Sequence, residues 1–522
     1  MFSNKNNVNI LTALLVQHGV RHAVVCPGSR NSPLAHNLNE CPDITCYPVT
    51  DERSAGFYAL GMSQALGKPV AVCVTSGTAL LNLAPAVAEA YYQHVPLVVI
   101  SADRPPQWID QLDGQTLPQP DALGRFVAKA VSLPEPRDEE EHWYCNRLVN
   151  EALIVRHAPV HINVPITEPF FDFTTASLPL ERRIELLPSD ISNPTLSHVC
   201  RMFIQSKRPM LIAGQPMNPN LDEAVLLVED DEHYVPDFVL YIGGSIVSKR
   251  VKHFLRKARE TWVVNATGEV TDTFMNLTHV VQGDGEVVAD QVRFLLEQQP
   301  HPFVQKWEQL LEKVREASMA YEPDYSEMAA LKYFEGRQEE GCCFHYANST
   351  AIRLANIYAR HKVWCNRGVN GIDGSLSTAA GFSCITDDMV FCVIGDLSFF
   401  YDSNALWNQN LKGNFRILLL NNGRGGIFNM LKGLEQSPAR DKFVAAEHHT
   451  SAEGICRQND VVYLKAENME QMQQGIDTFM SMASDRPIVL EVFTDPSADG
   501  QAYKGLHTRL LQLKSGGDGL EG

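Results

Sequence analysis

At 522 residues the chain is too long for one hydrophobic core and implies two to four domains. Its apolar and charged fractions, 44% and 20%, are those of an ordinary soluble globular protein. A net charge of −18 without any Lys/Arg-rich run argues against nucleic acid as a partner, and no apolar run approaches the ~20 residues that span a bilayer.

The N-terminal MFSNKNNVNILTALLVQHGV lacks the charged start and apolar core of a signal peptide. It reads as an amphipathic helix capped by Asn or Ser. Residues 20–102 then alternate strand and helix. HAVVCPG is a buried strand, and Ser32-Pro33 opens a helix with Ser at the cap and Pro in the first turn. DERSAGFYALGMSQALG is a helix stopped by Gly67, PVAVCVTSG a strand, TALLNLAPAVAEAYYQH a helix, and VPLVVISADRPP a strand. Continuous apolar strands separated by helices make a parallel sheet covered on both faces, which binds ligands beyond the strands' carboxyl ends. Arg30, the Ser76-Gly77 turn and Arg104 all fall at such ends.

A Pro- and acid-rich linker closes this first domain near residue 183, giving 1–183. A second block, 184–330, carries the strands RPMLIAGQP, PDFVLYIGGSIVSKR and ETWVVNA. It is short, with room for one helix between Ala213 and Asp237. A third block, 331–513, carries KVWCNRG, DDMVFCVIGDLS, GNFRILLLNNG and RPIVLEVFTD, and 514–522 reads as a disordered tail. The fold class is therefore α/β, with three doubly wound parallel-sheet domains. The first and third share a size and a pattern. Twelve scattered cysteines without a paired pattern fit reduced thiols and a cytoplasmic location, and Cys342-Cys343 with His345 has the wrong spacing for zinc.

The strongest chemical signal is VIGDLSFFYDSNALWNQNLKGNFRILLLNNGRGGIF. One strand ends at Gly395-Asp396-Leu397-Ser398 and the next at Asn421-Asn422. Adjacent strand ends lie close together, so Asp396 and Asn422 can share one hard cation such as Mg²⁺. The helix after Ser398 offers its N-terminus to a diphosphate.

This pattern resembles the Gly-Asp-Gly and Asn-Asn diphosphate motif of thiamine diphosphate enzymes, with Leu397 in place of the final glycine. That departure, with PGSRNSPLA, TDERSAGFYALG, VTSGTALLNLAPAVAEA, SADRPP, NRGVNGIDGSLSTAAG and GGIF, resembles one branch of the family, which serves menaquinone biosynthesis. The resemblance implies pyrimidine-binding, middle and diphosphate-binding domains, and a homodimer or homotetramer with active sites at the dimer interface. It implies thiamine diphosphate and Mg²⁺ (or Mn²⁺) as cofactors. Glu52 matches the glutamate that drives the aminopyrimidine toward its imino tautomer, which predicts a desolvated carboxyl with a raised pKa. Ile372 matches the residue beneath the cofactor's bend. Asp396 and Asn422, with the carbonyl of Arg424, match the metal ligands. Ser76, Gly77, Gly395, Leu397, Ser398, Ile427 and Phe428 complete the cofactor contacts.

The branch decarboxylates 2-oxoglutarate and adds the resulting succinyl carbanion equivalent to isochorismate by conjugate addition. Each substrate carries two carboxylates, and Arg30, Arg104, Lys249, Arg250, Arg353 and Arg367 match the family's cations. Opposite charges 4 Å apart attract by about 4 kcal/mol at an effective dielectric of ~20, so such a pocket is built for anions. By resemblance, Ser349, Arg353 and Arg367 meet the oxoglutarate-derived part. Ser29, Arg30, Arg104, Lys249 and Arg250 meet isochorismate; Gln115 matches a further substrate residue, and Phe428 and Leu431 wall the pocket. His448-His449 read as surface. The rival readings are another thiamine diphosphate-dependent 2-oxoacid decarboxylase or carboligase, which needs fewer cations, and a non-catalytic nucleotide-binding module.

Overall fold

The computed structural model describes residues 1–184, 193–214, 219–426, 428 and 433–515. Three parallel sheets organise them. The first contains β1 (His22–Val25), β2 (Thr45–Pro48), β3 (Val70–Val74), β4 (Leu97–Asp103), β5 (Lys129–Ser132) and β6 (Val160–Pro165) in the order β2-β1-β3-β4-β6-β5. The second contains β7 (Pro209–Ala213), β8 (Phe238–Ile242), β9 (Glu260–Asn265) and β10 (Leu277–Gln282) in the order β10-β9-β8-β7. The third contains β11 (Cys343–Tyr346), β12 (Val363–Trp364), β13 (Val390–Gly395), β14 (Phe415–Asn421), β15 (Val462–Ala466) and β16 (Ile488–Phe493) in the order β12-β11-β13-β14-β16-β15. Strand for strand, the first and third sheets have the same topology.

β3, β4, β13 and β14 are buried along nearly their whole length, which is why they read as uninterrupted apolar runs. The outer strands β2, β5 and β15 are only partly buried and carry polar residues, and β12 is two residues long. Their sequences give little periodic signal. Among the described residues the short second sheet has one α-helix between β7 and β8, Leu221–Val228, as the sequence suggests.

Local chemistry explains several departures. The first helix, Asn6–Gln17, starts after Lys5 with no side-chain cap. It is buried from Asn7 to Leu15, so it is not amphipathic. Its asparagines bond neighbouring segments instead: Asn7 Nδ2 donates to the carbonyls of Leu133 and Pro165, and Asn9 Oδ1 accepts from Asn37. Asn31 holds the cap position of the Ser32–Glu40 helix, and Pro33 lies in its first turn. TALLNLAPAVAEAYYQH forms two helices, Thr78–Asn82 and Ala84–Tyr92, because Pro85 lacks the N–H that would continue one. The last helix, Pro496–Ser515, takes in Lys514 and Ser515, which the sequence assigns to the tail. Residues 516–522 lie outside the described residues.

The first and third sheets share one hydrophobic core, which runs from Val72 and Leu97 to Ile417 and Leu419. Its centre is the crossing of the Glu52–Leu66 and Ser375–Ser383 helices. A Cβ on Gly61 would stand 1.9 Å from the Thr378 carbonyl oxygen, and one on Gly381 2.2 Å from that of Tyr58. The glycines let the two backbones meet. Tyr58 then donates across the joint to the Ala405 carbonyl at 2.7 Å.

Candidate active site

The β13–β14 register pairs Gly395 with Leu420, so Asp396 and Asn422 emerge side by side just beyond the paired ends. Asp396 is 4% exposed. Its Oδ1 accepts the N–H of Leu397 at 2.6 Å, and its Oδ2 accepts those of Gly423 and Arg424 at 2.9 and 3.1 Å. Asn422 Oδ1 accepts from the Arg424 N–H at 3.2 Å, while its Nδ2 donates to Asp499 Oδ2 at 3.0 Å. The Arg424 guanidinium turns away to Asp441. Asp499 also accepts the Glu327 N–H at 2.8 Å.

Burial pushes the carboxyls of Asp499 and Glu327 up, that of Glu327 well up, with the charges of Asp499 and Asp396 adding to the latter. His448 Nε2 stands 3.4 Å from Asp396 Oδ2, and that contact raises the imidazole pKa. His448 is therefore part of the site, not the surface residue expected. Buried carboxyl groups faced by one imidazole suit an added cation. No cage of three His, Cys, Asp or Glu side chains exists among the described residues, so amide and backbone oxygens have to complete the set. Asp396 and Asn422 supply hard oxygens of the kind Mg²⁺ takes. The helix here begins at Asp396, before Ser398, and is only six residues long. Ser398 is buried inside it, with Gly395 as its cap and Leu397 in its first turn.

A second cluster gathers cations. Arg367 Nη1 donates to Asn348 Oδ1 at 2.9 Å, and its Nη2 reaches Ser245 Oγ at 3.4 Å, joining the third sheet to the loop after β8. The Nε atoms of Arg367 and Arg353 are buried without a hydrogen-bond partner. Burial lowers the Arg367 pKa, and Arg353 adds to the effect. Ser349 begins the Thr350–Tyr358 helix, with φ at 75°. Lys249 is exposed at the start of its helix. Arg250 does not join the cluster: it pairs with Asp222 at 3.3 Å and Glu229 at 3.7 Å on the neighbouring helix. Lys252 takes its place. It lies one turn from Lys249, and burial and then the Arg367 charge lower its pKa. Ile372 is 42% exposed and so is not packed in a hydrophobic core.

At the carboxyl edge of the first sheet, Asp51 caps the Glu52–Leu66 helix by accepting from the N–H groups of Arg53 and Ser54. Glu52 follows in the first turn, half-buried in this chain rather than desolvated as expected. Arg30 is 5% exposed, but its guanidinium is engaged by the linker. It donates to the Ile166 carbonyl at 2.9 Å, lies over the Phe170 ring at 4.3 Å and stands 3.8 Å from Glu168. Ser29 is exposed beside it. Arg104 holds its own loop, 3.3 Å from Asp113 and bonded to the Gly114 carbonyl at 3.0 Å. Ser76 is buried, and the Gly77 backbone lies against that of exposed Gln115. Gln119, fully buried, accepts the Gly77 N–H at 2.7 Å and donates to the Ala102 carbonyl at 3.0 Å, tying these segments together. Phe428 packs over Gly425. Ile427 and Leu431 lie outside the described residues.

Sequence reasoning missed Gln119, Glu327, His448 and Asp499. Each acts through a partner distant in sequence, so no local motif marks it. Only the double histidine stood out, and it was read as solvated.

Two parallel sheets with paired carboxyl-edge sites define a class. Residues 5–123 match the family described as thiamine pyrophosphate enzyme, N-terminal TPP binding domain, and residues 346–492 match thiamine pyrophosphate enzyme, C-terminal TPP binding domain. The chain is 42% identical to the 2-succinyl-5-enolpyruvyl-6-hydroxy-3-cyclohexene-1-carboxylate (SEPHCHC) synthase of Bacteroides thetaiotaomicron, over 98% of this chain and 100% of the relative. The synthases of Phocaeicola vulgatus, at 42% identity over 98% and 100%, and Porphyromonas gingivalis, at 31% over 97% of each, are similar in the same way. The chain belongs to the SEPHCHC synthase family. The alignment with the first relative spans 558 positions, more than the 522 residues of this chain, so that relative carries segments absent here.

Proposed function

We propose that the chain joins 2-oxoglutarate, after decarboxylation, to isochorismate, giving SEPHCHC and CO2 for menaquinone biosynthesis. The observation that carries this reading is the Asp396–Asn422 cradle at the β13–β14 edge, within a chain whose relatives bear that synthase name over their full length. Thiamine diphosphate, when bound, supplies the electron sink for decarboxylation. Asp396, Asn422 and the Arg424 carbonyl hold its Mg²⁺, and Glu52 holds a proton at a pyrimidine nitrogen. Arg353 and Arg367, neither with a carboxylate ion pair among the described residues, take the distal carboxylate of the oxoglutarate-derived part. Lys249, Lys252, Arg30 and Arg104 face isochorismate.

We divide the chain into a pyrimidine-binding domain over 1–183, a middle domain over 184–330 and a diphosphate-binding domain over 331–513. The active form is a dimer or tetramer. A half-buried Glu52 and an exposed Ile372 both call for cover from cofactor and a second chain. No helix among the described residues is long and apolar enough to cross a membrane, and twelve free cysteines suit a reducing cytoplasm.

The test supplies thiamine diphosphate, Mg²⁺ and 2-oxoglutarate with and without isochorismate. Consumption of 2-oxoglutarate that depends on isochorismate is the expected result. Rapid release of a free four-carbon aldehyde without isochorismate would turn the reading to a simple decarboxylase.

A further inference from the structure

The loop from Arg367 to Ile372 carries two residues of the proposed site, yet it lies between domains and has no regular structure of its own. Its inner side is held by Asn348, whose Nδ2 donates to the carbonyls of Asn366 and Gly371, both at 2.7 Å. Its outer side is held from the first domain. Glu89, near the end of the Ala84–Tyr92 helix and 3% exposed, accepts the Gly368 N–H on Oε1 at 2.7 Å and the Val369 N–H on Oε2 at 2.6 Å. Gln93, one turn further on, donates to Oε1 at 2.5 Å and fixes the carboxylate's orientation.

A second observation makes the contact specific. A Cβ on Gly368 would stand 2.7 Å from the Glu89 carbonyl oxygen and 3.1 Å from its carboxyl carbon. The loop approaches this helix as closely as a backbone can, and only glycine permits it. A buried carboxylate that accepts two successive backbone N–H groups makes a rigid, charge-assisted two-point contact. It also places a negative charge near the half-buried Arg367, whose side chain has no carboxylate of its own in bonding range among the described residues.

We propose that Glu89 is a positioning residue for 2-oxoglutarate: it clamps the Gly368–Val369 backbone to the first domain and so sets where the Arg367 guanidinium meets the substrate carboxylate. The clamp rests on the assignment of Arg367 to that carboxylate. It makes substrate recognition in the third domain depend on a helix of the first.

Glu89→Gln keeps the shape but offers one acceptor oxygen, and its NH2 meets the second N–H head-on. Gly368→Ala pushes the same loop off the helix without changing charge. Steady-state kinetics on the holoenzyme should show, for both variants, a KM for 2-oxoglutarate raised about tenfold or more. The KM for isochorismate and kcat should stay within about twofold. Cooperative thermal unfolding of each variant shows that the fold is kept. A lowered melting temperature with unchanged kinetics, or an equal rise in both KM values, would overturn the clamp. Arg367→Lys, run in parallel, separates the two claims. If it leaves the 2-oxoglutarate KM unchanged, the Arg367 assignment falls and the clamp with it. If it raises that KM while Glu89→Gln and Gly368→Ala do not, the clamp alone falls.

Discussion

The first and third sheets are built alike, but their edges carry different side chains. Corresponding strands end in corresponding places: β3 in Ser76-Gly77 and β13 in Gly395-Asp396, β1 in the Ser29-Arg30 loop and β11 in Asn348-Ser349, β4 at Arg104 and β14 at Asn422. In both sheets the strand order reverses next to these ends, between β1 and β3 and between β11 and β13, and doubly wound sheets bind ligands at such crevices. At the first edge Arg30 and Arg104 stand with the acidic Asp51 and Glu52 and the neutral Ser29 and Ser76; at the third, Asp396, Asp499 and Glu327 lie buried by the ends of β13 and β14, while Arg353 and Arg367 follow β11 and β12. One topology therefore sets where strand-end side chains gather, and a handful of residues decides the charge found at each place.

The sharpest way to break the comparison is to remove the charge from one edge. Asp396→Ala should weaken binding of thiamine diphosphate with Mg²⁺ by about 100-fold or more, read by isothermal titration, because the proposed reading makes Asp396 a direct ligand. An unchanged affinity would place the metal elsewhere. Glu52→Gln, at the other edge, should leave that affinity nearly intact and slow turnover by roughly 10² to 10⁴, the usual reach of a proton-transfer group. Near-normal turnover would remove Glu52 from the chemistry.

What could be read from the sequence follows from how each feature is encoded. Asp396 and Asn422 were legible because a strand end fixes them locally and the register makes neighbours of them. The central strands were legible because burial on both faces leaves an apolar run. Asp499, Gln119 and Glu89 were not, since each acts through a backbone N–H or an amide far away in the chain, and no spacing announces such a contact. The surroundings of Arg250 were not legible for a related reason. In SKR, Lys249 and Arg250 look equivalent, but successive helix positions point about 100° apart, and Asp222 and Glu229 wait on the Arg250 side. The strand-end position of Arg30 was legible, while its grip on the linker required a partner, Ile166, from beyond β6.

A further prediction concerns the joint between the two halves. Asp402 accepts from the Ser377 N–H at 2.7 Å and from its hydroxyl at 2.8 Å, and burial pushes its carboxyl up to about 7. In an unfolded chain the group titrates near 3.9. Below about 4 both states are protonated and the contribution to stability is complete. As pH rises toward about 7 the unfolded state has released its proton while the folded state keeps it, so stability falls, by roughly 4 kcal/mol at most. Asp402→Asn removes this slope. The difference in urea midpoint between wild type and variant should shift in the variant's favour between pH 5 and pH 8, and a constant difference would mean that Asp402 ionises as freely as in water.

The smallest expected effect tests the grip on Arg30. Glu168 is 72% exposed and 3.8 Å from the guanidinium, an arrangement worth under about 1 kcal/mol. The Ile166 carbonyl and the Phe170 ring remain in place without it. Glu168→Ala should therefore leave the melting temperature and the KM for isochorismate close to wild type, whereas Arg30→Ala should raise that KM by about tenfold or more while sparing thiamine diphosphate affinity. A large effect from Glu168→Ala would show that the exposed carboxylate, and not the buried carbonyl, holds Arg30. A harmless Arg30→Ala would return this arginine to a purely structural role, and the anion-binding character of the first edge would then rest on Arg104 alone.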